Sequence, residues 1–348
     1  MRFYSQPHQY YCGIDLHTRT LSLCLLDAAG AIRLEATLPP DRDRLATTLA
    51  PYRNGLVIGC ECLFAWYWLA DWCAEQGIPF VLGHALYLRA VHGGKTKTDA
   101  VDAAKLARLL RGGTFAEAYV YPNAMRATRD LLRRRTYLVR QRATLIAHLQ
   151  TTFLQYNLPA PQKKLAYAAN RADLDLSVFP DPSTRSMLEA DLAVAAALDA
   201  QVKRLEAELI RTAKVHDPQT FARLRSVPGI GPVLALIVLY EVQSITRFEH
   251  EGQFLSYARL VGGVRESAGK SKGTGGRKIG NAHLKWAFGE AACLMLRESG
   301  KAKTWVARKE RKVGKPRALG ALACRIGRTV YHLWRKQASF DAAKFLAS

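Results

Sequence analysis

Tyr11-Cys12-Gly13-Ile14-Asp15-Leu16 is a run of strand-forming residues carrying one carboxylate near its end. The residues around it extend the pattern. Thr20–Leu26 reads as a second strand, Ala28-Ala29-Gly30 as a turn and Ile32–Leu38 as a third strand. Asp43–Arg53 has helical spacing and leads into Leu56-Val57-Ile58-Gly59-Cys60, an apolar run short enough for a buried strand. Phe64–Gln76 returns to helical spacing and Ile78–Leu82 to a strand, and Thr98 stands as the N-cap of a helix from Asp99 to about Leu110. Three strands in a meander, then alternating helices and strands, predict an α/β layered domain with a mixed sheet.

Four acids stand where such a domain gathers chemistry. Asp15 lies in the first strand, Glu61 at the C-terminal end of the Leu56–Cys60 strand, and Asp99 and Asp102 three residues apart on one helix face. Two carboxylates 4 Å apart repel by about 4 kcal/mol at an effective dielectric of 20. Four together therefore call for cations, and oxygen ligation points to Mg²⁺ or Mn²⁺. Two such ions about 4 Å apart can activate an attacking oxygen and stabilise a leaving one at phosphorus. Against this stands a plainer reading of Asp99 and Asp102 as first-turn acids favoured by the helix dipole.

Charge divides the chain of 348 residues unevenly. The whole carries 51 Lys+Arg against 29 Asp+Glu, a formal +22, which makes a polyanion the expected partner. Residues 1–122 hold 12 basic and 11 acidic side chains, and the remainder holds 39 and 18. Composition breaks near Tyr121-Pro122-Asn123, so the expected organisation is an α/β domain over 1–122, an arginine-rich helical or coiled-coil segment over 123–215 and a mostly α domain over 216–348. An apolar content of 49% excludes global disorder. Without a long apolar run, a membrane span is excluded and nucleic acid is favoured over a membrane surface. The first eight residues have no apolar signal core, and seven scattered cysteines form no C-x-x-C pair. The expectation is a cytoplasmic, nucleoid-associated protein with free thiols.

The basic part contains three features. Ala124 to about Tyr156 and Leu192 to about Thr212 are helical in pattern, separated by Pro159, Pro161, Pro180 and Pro182. Their leucines fall near heptad spacing, consistent with an antiparallel hairpin, with a dimerising coiled coil or with a solvated spacer. Arg126, Arg129, Arg133, Arg134 and Arg135, followed by Arg140 and Arg142, exceed what solubility requires and are expected to contact phosphates. Val227-Pro228-Gly229-Ile230-Gly231-Pro232 before an apolar helix suggests a hairpin whose backbone N–H groups, at Gly229 and Gly231, approach a phosphate; glycines as plain connectors are the alternative. Arg265–Lys278 is polar, glycine-rich and basic, the composition of a flexible loop. Lys270, Lys272, Arg277 and Lys278 would line a nucleic-acid backbone there, with a hydroxyl exposed beside it. Helices are predicted over Ala282–Arg297 and Leu319–Trp334, the latter a packing helix on which His332 is structural.

The order Asp15, Glu61, Asp99, Asp102, with Lys95-Thr96-Lys97-Thr98 before the Asp-x-x-Asp, resembles the DEDD transposases of the IS-one-ten insertion-sequence family, which includes the Piv-type DNA invertases. P-G-I-G, Gln-Phe near Tyr257, Glu-Ser-x-Gly and Gly-Asn-x-x-Leu resemble that family's C-terminal domain, so the likeness covers nearly the whole chain. One departure follows Glu61, where Cys62-Leu63-Phe64-Ala65-Trp66 replaces small residues. The resemblance implies a RuvC-like, ribonuclease-H-like first domain whose four acids bind metal. It implies a serine that attacks DNA to form a phosphoserine: Ser267 by position, with Ser271 and Ser256 as rivals. It further implies donor and target DNA as partners, a bridge RNA, and a homodimer or homotetramer in which one subunit's acids meet another's serine. The competing expectations are a RuvC-like nuclease using water and a non-catalytic nucleic-acid-binding protein.

Overall fold

The computed structural model describes residues 2–91, 98–276 and 279–345. Lys95, Thr96 and Lys97 of the first motif, and Arg277 and Lys278, lie outside the described residues. The chain divides into two compact units, Met1–Ala124 and Met125–Ser348.

The first unit runs β1 (Phe3–Tyr4), β2 (Tyr10–Leu16), β3 (Leu21–Asp27), β4 (Ile32–Leu38), α1 (Arg42–Leu49), β5 (Leu56–Glu61), α2 (Trp66–Gln76), β6 (Phe80–Gly83), α3 (Ala85–Val91), α4 (Asp99–Arg111) and β7 (Phe115–Ala116). Its sheet has the order β4-β3-β2-β5-β6. The β2–β3 and β3–β4 pairs are antiparallel, whereas β2–β5 and β5–β6 are parallel. Such a mixed five-stranded sheet is consistent with the ribonuclease-H-like expectation. Strands β2, β3 and β5 are buried almost throughout because both sheet faces are covered, which is why they read as apolar runs. One face packs on Leu45, Leu49, Leu69 and Trp72, while Leu106, Leu110 and Phe115 cover the other. Edge strand β4 alternates instead.

Helix α4 lies against β2 at unusually short range. A methyl group added to Gly13 would stand 2.3 Å from both the Ala103 carbonyl oxygen and the Ala107 nitrogen. The helix meets the sheet with Ala103, Ala104 and Ala107, all buried. Thr98 caps it, its hydroxyl oxygen accepting from the Val101 N–H at 3.3 Å. Replacing Thr98 by alanine is expected to cost about 1 kcal/mol, read as a lower urea midpoint at unchanged slope.

The second unit is mostly helical: α5 (Asn123–Gln155, entering from the first unit), α6 (Ala168–Ala172), α7 (Pro182–His216), α8 (Pro218–Arg225), α9 (Pro232–Val242), α10 (Glu251–Tyr257), α11 (Ala282–Glu298), α12 (Gly300–Val313), α13 (Lys315–Arg335) and α14 (Ala342–Phe345). One antiparallel hairpin interrupts them, β8 (Gly263–Ser267) with β9 (Lys270–Gly275). Helix α7 begins ten residues before the expected Leu192, since Pro182 occupies its first turn, where a missing N–H costs nothing. Helices α5 and α7 run antiparallel within the chain: Arg135 pairs with Glu206, Arg142 with Asp199, His148 with Asp191, and Tyr156 with Thr184. Helix α9 is apolar up to Tyr240 and is buried from Leu234 to Val242 at the centre of the core, with Glu241 the one charged side chain it carries inside.

Candidate active site

Register brings the first two acids together. Ile14 of β2 and Cys60 of β5 are parallel partners, so the next residues, Asp15 and Glu61, stand side by side where the strands end. Strand spacing is about 4.8 Å. Because α4 lies so close to β2, its first turn brings Asp99 into one small group with Asp15 and sets Asp102 near enough for its charge to act on Asp15, while Glu61 and Asp102 stay outside that group. Asp15 is buried, Glu61 and Asp102 are half-buried and Asp99 is exposed. Lys105 Nζ donates to Asp102 Oδ1 at 3.1 Å.

His17 completes the group, and it was not among the residues expected from sequence. Its Nε2 lies 3.2 Å from Asp15 Oδ2 and 3.6 Å from Asp99 Oδ1. The available signal was alternation: a residue two beyond Asp15 keeps to the same side of an extended chain. Burial raises the Asp15 carboxyl above its ordinary range; the His17 charge and hydrogen bond oppose this, while Asp99 and Asp102 reinforce it. A site that raises its own carboxyl in this way gains stability from an added cation. The donor set fits a divalent metal, with ligand atoms of Asp15, His17 and Asp99 all within 4.8 Å of one another. The bulky residues after Glu61 do not close the site. Phe64, Ala65 and Trp68 form one wall of an open cleft that His17, Thr18 and Arg42 also line.

The glycine-rich stretch expected as a loop is instead a hairpin. Ser267 pairs with Lys270 across a two-residue turn in which Ala268 (φ +52°) and Gly269 (φ +71°) are both left-handed, the geometry that suits a tight hairpin. Ser267 is therefore the exposed last residue of β8. Ser271 is exposed on β9 opposite Glu266, and Ser256 is exposed on α10. Lys270 and Lys272 are exposed on β9.

The arginine array is largely turned inward. Arg126 and Arg129 are buried, and Arg129 and Arg133 both donate to the carboxylate of Glu241, with Arg133 Nε at 2.7 Å from Oε1. Arg135 is paired with Glu206. These charges sit on carboxylates more than 70 residues away in sequence, which corrects their reading as a uniform phosphate-binding face. Arg134 and Arg140 are exposed, with Arg134 over the Tyr137 ring.

The Pro-Gly-Ile-Gly-Pro turn also faces inward at its first glycine. A methyl at Gly229 (φ +81°) would lie 2.4 Å from the Ala291 carbonyl oxygen, and the Gly229 N–H donates to Glu298 Oε2 at 3.0 Å. A protein carboxylate thus occupies the donor expected for a phosphate, and Gly229 serves close packing on α11. Gly231 is exposed as the N-cap of α9.

A mixed sheet with acids gathered at adjacent strand ends and at the start of a packed helix defines a carboxylate-centred nucleic-acid-processing class of α/β domain. The family described as Transposase IS116/IS110/IS902 matches residues 221–307, and the DEDD transposase family of IS110 elements matches residues 12–158. The chain belongs to the IS110-family DEDD transposases. It is 24% identical over 339 residues to the transposase for insertion sequence element IS1111A of Coxiella burnetii, covering 94% of this chain and 90% of that one. It is 28% identical over 200 residues to the putative transposase y4qE of Sinorhizobium fredii, covering 58% of this chain and 48% of the relative, about half its length. Among the described residues no helix is long and apolar enough to cross a membrane.

Proposed function

We propose that this transposase cleaves and rejoins DNA through a covalent bond between phosphorus and Ser267, with Asp15, Glu61, Asp99 and Asp102 holding Mg²⁺ or Mn²⁺. The convergence of Asp15, His17 and Asp99 around one small volume carries the reading. Asp15, Glu61, Asp99 and Asp102 would hold a divalent ion there, which when bound would supply charge neutralisation and polarisation at the scissile phosphate. Ser267 Oγ, held at the end of a hairpin, attacks phosphorus as its proton departs to solvent or a nearby base. The DNA oxygen leaves and takes up a proton, so one phosphoester replaces another. A second strand's hydroxyl then reverses the exchange and seals the new junction without ATP. Lys270 and Lys272 on the same hairpin, with Arg277 and Lys278 after it, would hold the strand's phosphates.

Site choice is proposed to come from a bridge RNA pairing with donor and target DNA, since the chain carries net positive charge without an evident base-reading motif. The assembly is proposed to be a homodimer or homotetramer in which the acids of one subunit act with the serine of another.

Covalent capture on a cognate nicked DNA with Mg²⁺, resolved on a denaturing gel, tests the reading. A shifted adduct is expected, abolished in Ser267→Ala and retained in Ser271→Ala. Cleavage that survives Ser267→Ala would mean water is the attacking group, and no cleavage of any cognate substrate would leave only binding. Sequencing the copurifying nucleic acid tests the guide; random cellular RNA would refute it.

A further inference from the structure

We infer that His17 supplies a nitrogen ligand to the divalent ion held by Asp15 and Asp99, making this a mixed imidazole–carboxylate site that favours Mn²⁺ over Mg²⁺. The inference rests on the metal-dependent reading above and adds a ligand to it.

Geometry is the first support. His17 Nε2 lies 3.2 Å from one carboxylate oxygen and 3.6 Å from another, and the two carboxylates belong to separate elements, β2 and α4. Adjacent ligand atoms around an octahedral ion with bonds of about 2.1 Å stand about 3 Å apart. Both separations from the imidazole are thus near ligand spacing, and all three ligand atoms lie within 4.8 Å of one another, close enough for small side-chain shifts to bring them onto one ion.

Backbone placement is the second support. The His17 N–H donates to the Thr20 carbonyl at 2.9 Å, closing the turn between β2 and β3 and presenting the ring beside the strand end. Lys105 answers Asp102, whereas the group interposed between Asp15 and Asp99 is an imidazole. Without metal, Nε2 carries the proton it donates to Asp15; on binding an ion it would pass that proton to solvent with Nδ1 keeping or gaining the ring proton, and so expose a lone pair that an ammonium lacks at neutral pH. Mn²⁺, the first member of the transition-metal affinity series, accepts a nitrogen donor beside carboxylates more readily than Mg²⁺, which keeps to oxygen and water.

Mn²⁺ itself is the probe. The full chain, stripped of nucleic acid by nuclease and high salt, is titrated with Mn²⁺, and the bound ion is read by electron spin echo for directly bonded nitrogen. Nitrogen modulation is expected in the wild type and absent in His17→Gln and His17→Ala, both checked for fold by circular dichroism. In these variants Mn²⁺ affinity should fall about tenfold or more, while Mg²⁺ affinity, measured by competition, changes less than about threefold. Should Mn²⁺ bind, and be lost in Asp15→Asn, but show no nitrogen modulation, or modulation that persists without His17, the inference fails while the metal site stands. Should Asp15→Asn leave Mn²⁺ binding unchanged, or should no Mn²⁺ bind, both fail together.

Discussion

Replacing Glu241 by alanine is expected to destabilise the second unit by about 3–5 kcal/mol. The carboxylate is fully buried on α9. It accepts from Arg129 Nη2 at 3.0 Å, from Arg133 Nε at 2.7 Å and Nη2 at 2.9 Å, and from Asn281 Nδ2 at 2.7 Å. Removing it takes from the buried Arg129 a carboxylate that it donates to, and losing one member of a buried ion pair is far costlier than the intact pair is beneficial. Asn281 also caps α11, its Oδ1 accepting from the His283 and Leu284 N–H groups, so the loss reaches the segment that leads out of the serine hairpin. Urea unfolding of wild type, Glu241→Ala and Glu241→Gln checks this. The glutamine variant, which keeps the shape and loses the charge, should fall between the other two. A loss below about 1 kcal/mol in Glu241→Ala would mean that the cluster relaxes or hydrates freely.

The same residue sets an acid limit. Burial alone would raise its carboxyl, but the Arg133 hydrogen bond, the charges of Arg129 and Arg133, and the Asn281 amide outweigh burial and hold it at about 2, below the ordinary 4.5. A folded-state value below the unfolded one means stability that is fully present above pH 4.5 and is lost as pH falls from 4.5 towards 2. The stability difference between wild type and Glu241→Gln should therefore shrink across that window and be constant above it.

Gly13→Ala is expected to be the second severe substitution, and to strike chemistry harder than folding. Its methyl would meet the Ala103 oxygen and the Ala107 nitrogen at 2.3 Å and Leu106 Cβ at 2.8 Å. Backbone on both sides leaves no side chain to swing aside, so α4 must retreat from β2 by roughly an ångström to restore contact distance. Overpacking of this kind costs about 1–3 kcal/mol or more. Asp99 and Asp102 ride on that helix while Asp15 stays on the strand, so the proposed metal ligands separate by the same displacement. Misplacement on the order of 1 Å can cost about 100-fold in rate. Strand cleavage should thus fall about 100-fold under conditions where circular dichroism still reports a folded protein. Activity falling only in step with the folded fraction would show that the α4 register does not govern the site.

Much of this architecture is legible in local pattern. Strands β2 to β4, the apolar β5 and the Thr98-capped α4 follow from runs, turns and caps that lie within a few residues of one another. The acids Asp15, Glu61, Asp99 and Asp102 are visible by the same means, because their places at strand ends and in a helix first turn depend on neighbours in sequence. Two local patterns mislead for local reasons. Pro182 looks like a break and is a helix start, since proline fits the first turn. Residues 265–278 look like a loop because glycine and lysine replace the apolar alternation of a buried strand, yet residues 263–275 pair as a hairpin across a two-residue turn.

Partnership between distant residues is another matter. Counting arginines in 123–142 gives a basic helix, but Glu241 lies 112 residues from Arg129 and Glu206 lies 71 from Arg135, and those carboxylates turn the array inward. Gly229 likewise reads as a phosphate-binding turn until the Glu298 carboxylate, 69 residues on, is found on its N–H. His17 meets both Asp15 and Asp99 only because α4 brings Asp99 beside it. Chain order thus carries the strands, the four acids and the uneven charge, because periodicity, turn chemistry and composition act over short spans. Which charges face solvent, which glycines separate backbones and which histidine meets the acids are properties of packing, because burial and Coulomb energy depend on distance in space.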